Sequence, residues 1–183
     1  MSGWSLTERC SNFKQKKIFV VAAEGEVTEP QYFQKLNSMS NSSTFYVIEN
    51  LGNGSDPRHV LGRMKKHLKQ NPLDTEDEAW IVVDQDDWPE EALLDIANWA
   101  NDSKFFYAIS IRKFEDWLKL HVAGDKSAER KYRDFLIGKN KNIPDDFVTK
   151  TRVLHAISLA KSLETTIRSV GNIHKLIEKF LSQ

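Results

Sequence analysis

Acidic side chains that close an apolar run are hard to attribute to solubility, and this chain has three in such positions. Glu24 follows the run Ile18–Ala23 (IFVVAA), while Asp84 and Asp86 follow Trp80–Val83 (WIVV). A spacing of two puts Asp84 and Asp86 on the same side of an extended backbone. If the two runs are neighbouring strands, about 4.8 Å apart, the three carboxylates converge. Converged anions repel, and without compensation one of them keeps its proton at neutral pH. A divalent cation removes that penalty, and Mg²⁺ or Mn²⁺ suits a few carboxylates with retained waters and a substrate phosphate. The expectation is a metal site built from Glu24, Asp84 and Asp86.

The remaining acids have competing duties. Asp87 reads as a helix cap, with Glu90 completing the box, and Glu29 as an acid serving the dipole of its helix. Glu26 reads as solvated. Glu115 stands off the apolar stripe Phe114, Trp117, Leu118, His121 and could pair with Lys119 one turn on. His121 reads as a packing histidine, and the other histidines show no zinc spacing. Gly52-Asn53-Gly54-Ser55 lacks the Gly-Lys-Ser/Thr ending of a phosphate loop and reads as a turn before a helix.

The elements that must position these residues alternate. Ile18–Ala23, Thr44–Ile48, Trp80–Val83 and Phe105–Ile111 are short runs rich in β-branched and aromatic residues, as buried strands are. The first three are each followed by a helical pattern that opens with polar caps, acids and proline: from Thr28 (with Gln31 as its box partner) to about Met39, from Ser55-Asp56-Pro57 to about Lys69, and from Asp87 to about Ala100. This predicts an α/β fold: a mainly parallel sheet of about four strands with helices on both faces. Sites in such folds lie outside the carboxyl ends of the strands, where strand order reverses. Extra C-terminal helices are expected over Lys113–Val122, Ser127–Leu136, Arg152–Val170 and Asn172–Leu181, with Gly138–Asp146 as the flexible loop among them. Residues 1–16 read as a flexible arm and 17–183 as one domain.

Composition agrees with a globular chain of 183 residues, 40% hydrophobic and 28% charged. One cysteine, Cys10, excludes an internal disulfide, and no apolar run is long enough to span a bilayer, so a cytoplasmic protein without membrane contact is expected. The zero net charge hides an uneven distribution. Asp74 to Asp95 has no Lys or Arg, whereas Lys126 to Arg152 is basic. Arg130, Lys131, Arg133, Lys139 and Lys141 are the expected nucleic-acid contacts, reaching phosphates that an acidic centre alone would repel; ordinary solvated helix charge is the plainer alternative.

Several motifs, in order, resemble one family. Val20–Phe33 (VVAAEGEVTEPQYF) resembles the EGE-x-TE-x-x-YF signature of RloB-like proteins. So do Gly52–Pro57 (GNGSDP), Asp84–Asp87 (DQDD), Phe114–His121 (FEDWLKLH) and the late Asn172–Leu176 (NIHKL). Two positions depart from it: Ser110-Ile111-Arg112-Lys113 replaces a usual Ser-Asn-Pro, and Ala23 a usual cysteine. RloB-like proteins are similar to the Toprim group of topoisomerases, primases and OLD-type nucleases. That resemblance implies a Toprim-like domain in which Glu24 is the general acid/base and Asp84 and Asp86 bind Mg²⁺. It also raises Glu115 to a further catalytic or ligand residue. It implies a nuclease acting on DNA or RNA in anti-phage defence, abortive infection or restriction, beside an ABC/SMC-like ATPase partner. The rival reading is a non-catalytic regulatory module that binds a nucleotide or that ATPase. A receiver-like phospho-acceptor, with Lys113 as its lysine, is a more remote third.

Overall fold

The computed structural model describes residues 16–52, 56–85, 88, 90–101, 104–164 and 171–183. Four strands, β1 (Lys17–Ala23), β2 (Ser43–Ile48), β3 (Glu78–Gln85) and β4 (Phe105–Ile111), form one all-parallel sheet in the order β2-β1-β3-β4. The described residues also form the helices α1 (Thr28–Leu36, prolonged by a 3₁₀ turn over Asn37–Met39), α2 (Pro57–Gln70), α3 (Glu90–Trp99), α4 (Phe114–Leu120), α5 (Lys126–Lys131), α6 (Arg133–Leu136), α7 (Lys150–Leu163) and α8 (Ile173–Leu181). Side chains alternate across each strand, so β1 feeds two cores. Phe19, Val21 and Ala23 pack with α1 and the C-terminal helices; Val20 and Ala22 pack with α2 and α3. Among the described residues no helix is long and apolar enough to cross a membrane.

The α/β architecture expected from the sequence is present, with corrections of local reach. β3 starts at Glu78 and runs on to Gln85, so Asp84 lies inside the strand, in register with Ser110, and not after it. Thr28 does not cap α1. Its hydroxyl donates to Lys141 O at 3.0 Å, and Gln31 is spent on Asn142 and Ile143. The expected helix Ser127–Leu136 is broken at Tyr132, whose buried ring packs edge-on against Phe147. α7 begins earlier than expected, at Lys150, with Thr149 Oγ1 accepting from Arg152 N. The Asp87 cap, the Asn53–Ser55 turn, the arm up to residue 15 and the stretch 165–170 lie outside the described residues.

Two asparagines bond to the outer strands. Asn37 accepts from Phe45 N at 2.6 Å and donates to Phe45 O at 3.1 Å. Asn172 accepts from Ile109 N at 2.6 Å and its own N–H donates to Ile109 O at 3.0 Å.

His121 is a packing residue, as its place on the apolar stripe predicted. Its Nδ1 lies 3.2 Å from Trp117 O, so it carries the proton, and Nε2 accepts from the Tyr32 hydroxyl at 3.0 Å. Burial pushes its pKa down to about 3. The unfolded chain takes up this proton near the ordinary histidine value and the folded one does not. His121 therefore adds stability above that value, which is lost as pH falls toward 3, by up to about 1.4 kcal/mol per pH unit. Urea midpoints of His121→Gln and wild type between neutrality and mild acid should converge as pH falls; parallel curves would refute the assignment.

Candidate metal and proton-transfer centre

Strand order reverses between β1 and β3: the chain leaves β1 for β2 on one side and returns to β3 on the other. α1 and α2 consequently lie on opposite faces of the sheet, and a crevice opens between the carboxyl ends of β1 and β3. Glu24 and Asp84 stand at this point. Glu24 N donates to Val82 O at 3.0 Å, and Asp84 N donates to Glu24 Oε2 at 3.2 Å. The sequence-based convergence therefore holds for these two; Asp86 lies outside the described residues.

A carboxylate assigned elsewhere joins them. Glu29, expected to serve a helix dipole, is buried and accepts from Gly25 N at 3.1 Å. A Cβ on residue 25 would lie 1.9 Å from Glu29 Oε2, so the glycine is what admits the carboxylate to the crevice. Glu115 also faces the crevice, because Lys119 pairs with Asp116, at 2.7 Å, and not with Glu115. The loop expected to be flexible is fastened to α1. Beyond Thr28 to Lys141 O, Gln31 Nε2 donates to Asn142 Oδ1 at 2.9 Å, Ile143 N donates to Gln31 Oε1 at 2.8 Å, and Lys35 pairs with Asp145 at 2.8 Å. These bonds bring Lys141 to the rim. Among the described residues it is the one cation lining a cleft of about 440 Å³ whose acids are Glu24, Glu26, Glu29, Asp84 and Glu115.

β3 carries an acid near each end, Glu78 buried and Asp84 half-buried, and the two are treated oppositely. At Glu78 burial pushes upward, but hydrogen bonds from Lys17, Lys179 and Trp80 outweigh it and hold the carboxyl below its usual range. Among the described residues no lysine or arginine plays that part for Asp84. Burial, then the Glu29 and Glu24 charges, push it up to about 8 against the Phe114 N–H that favours the anion. Glu29 is pushed up too, chiefly by burial, with Glu115 adding to it. A net anionic pocket that keeps a proton at neutrality is the electrostatic mark of a cation or proton site.

Among the described residues, no three His, Cys, Asp or Glu side chains are grouped closely enough to hold a metal as they stand. The donor chemistry nevertheless fits a hard divalent ion. All the acids offer oxygen, and Asn50 Oδ1, in the cleft wall, is buried without a hydrogen-bond partner among the described residues. Of the other predicted phosphate contacts, Lys131 pairs with Asp146 and Lys139 with Asp134 at 3.6 Å, while Arg130 and Arg133 are exposed on α5 and α6; none lines the cleft.

A family model described as RloB-like protein matches residues 19–180. The chain belongs to the RloB-like family. The match takes in every carboxylate of the cleft, Lys141 and the Gly171–Asn172 segment of this RloB-like protein. No curated protein and no solved structure matches it significantly.

Proposed function

We propose that this RloB-like protein is a Toprim-like, metal-dependent nuclease that hydrolyses phosphodiester bonds in DNA or RNA. One observation supports the reading above the others: Asp84, near the end of a strand buried on both faces, holds a carboxyl with no paired cation among the described residues, beside Glu24 and Glu29 where strand order reverses. Asp84 and Asp86 would hold Mg²⁺ or Mn²⁺, with Glu24 and Glu115 as further oxygen donors. When bound, the cation supplies neutralising charge to the phosphoryl oxygens and lowers the pKa of a water. Glu24, steadied by the Asp84 N–H, takes a proton from the attacking oxygen or returns one to the leaving oxygen. Lys141 meets the phosphate at the rim, and Arg130, Lys131, Arg133 and Lys139 continue the contact along the bound strand. Action in anti-phage defence with an ABC/SMC-like ATPase partner belongs to the same proposal and rests on the family resemblance.

The test is turnover by the pure chain on labelled single- and double-stranded DNA and RNA, with Mg²⁺, Mn²⁺ or EDTA. Cleavage should require the metal. Glu24→Gln should keep fold and metal binding, by calorimetry, while cutting falls by about 10²-fold or more, the usual scale for losing a general acid/base. Equal cutting would remove Glu24 from the reaction, and no metal-dependent cutting at all would put the regulatory-module reading first. Anisotropy across a salt series tests the basic residues. Changing Arg130, Lys131 and Arg133 together to glutamine should flatten the salt dependence by roughly 1 logarithmic unit for each phosphate no longer neutralised, with metal affinity unchanged.

A further inference from the structure

The backbone that carries Glu24 is held in a way the sheet cannot supply. The β1–β2 ladder stops at the Ala22–Ile48 pair and the β1–β3 ladder at Ala23–Val82. Past them the carbonyls of Ala23 and Glu24 need other donors. Two side chains from outside the sheet provide them. Arg63 Nη2, on α2, donates to Ala23 O at 2.6 Å, and Asn50 Nδ2, just after β2, donates to Glu24 O at 2.8 Å. With Glu24 N bound to Val82 O, the peptides on both sides of the Glu24 Cα are fixed, and with them the direction of its Cα–Cβ bond.

These bonds are poor devices for stability. Arg63 Nε and Nη1 are buried with no hydrogen-bond partner among the described residues, and so is Asn50 Oδ1. Donors that lose water and gain nothing destabilise the fold. Burial also pushes the guanidinium pKa down, with Glu26 opposing. Violations of local rules of this kind collect where function requires them.

We propose that Arg63 and Asn50 are positioning residues that fix the peptides flanking Glu24 and thereby hold its carboxylate against the Asp84 N–H. Their catalytic consequence rests on Glu24 being the proton-transfer group. A carboxylate free to swing by an ångström loses a large share of its effect, on the order of 10²-fold.

Arg63→Met, Arg63→Lys and Asn50→Ala in the full chain test it. Arg63→Met keeps the apolar stem and removes two unsatisfied donors while leaving Ala23 O without its partner, two effects of opposite sign, so its melting temperature should stay within a few degrees of the wild type's. Its kcat should fall by about 10- to 100-fold with KM unchanged, and Arg63→Lys, with one donor left, should recover part of the loss. A second readout needs no turnover. The Asp84 amide, bonded to Glu24, should move upfield and exchange faster in Arg63→Met and Asn50→Ala, while the amides of Phe19 to Ala22 stay unchanged. An unchanged Asp84 amide in both variants overturns the inference, as does uniform acceleration across β1. If the wild type cuts nothing, the nuclease reading fails while the amide comparison still decides this one.

Discussion

In EDTA near pH 8, Asp84→Asn should melt roughly 5 °C above the wild type, a gain of about 2 kcal/mol, although it no longer binds Mg²⁺ or Mn²⁺. In the folded state burial and the neighbouring carboxylates push Asp84 up to about 8, far above its ordinary value. The folded chain therefore holds a proton that the unfolded chain releases. Asp84 contributes fully to stability only below the ordinary aspartate range, and that contribution is lost as pH rises through about 8. Asparagine keeps the shape and an acceptor for the Phe114 N–H but has no charge to bury. The advantage should shrink to nothing at acid pH, opposite in sign to the His121 effect. The full shift would correspond to more than 2 kcal/mol, but partial exposure of the carboxyl screens it. Calorimetric titration should show the metal isotherm gone, and cleavage should fall by about 10³-fold, the upper scale for removing one preorganised charge-stabilising group. A variant that binds the ion as well as wild type, or melts lower at every pH, would contradict both assignments.

Gly171→Ala should destabilise the protein by about 3–5 kcal/mol, the range of backbone clashes that the fold cannot relax. Gly171 has φ +97, where side chains are strained, and an added Cβ would lie 1.8 Å from Ile109 O and 3.0 Å from Ser110 Cα. Both neighbours belong to β4 and cannot swing aside. Displacing the turn would also withdraw Asn172 from Ile109. Gly62→Ala is the control: it lies in α2 with nothing within 4 Å of the added atom, so it should stabilise by about 0.5–1 kcal/mol. Urea unfolding of the two variants reads the contrast directly, and equal midpoints would refute it.

The sheet and two of its acids were legible because the signals are local. IFVVAA and WIVV are too apolar and β-branched to be anything but buried strands, and an acid at their ends has no packing role to explain it. Glu29 was not legible, because an acid beside a proline in a first turn satisfies the dipole rule whether it is solvated or buried. Its real place depends on Gly25 lacking a Cβ and on a loop more than a hundred residues downstream. The same loop explains why Thr28 and Gln31 imitate a capping box: residue types suited to a cap suit equally a bond to Lys141 O or Asn142, and spacing cannot tell local from distant partners. Gly25 directly before Glu26 and four residues before Glu29 was the available signal, since a glycine there has no turn to make. Arg63 offered none; on its helix it is one basic residue among several.

The two asparagines have a consequence for how the protein meets other chains. A parallel sheet ends in two rims of unpaired amides, each a template on which a foreign strand can nucleate, the usual route to aggregation and fibre growth. Here an asparagine on each rim presents a donor and an acceptor as a neighbouring strand would: Asn37 through its carboxamide on Phe45, Asn172 through its side-chain oxygen and its own backbone N–H on Ile109. A partner therefore cannot dock by lengthening the sheet at these residues and must recognise side chains, on the helical layers or across the cleft. Replacing the Asn37 side chain by alanine should make the protein scatter light on warming well before the cores themselves come apart, and replacing that of Asn172, whose backbone bond to Ile109 remains, should do so less.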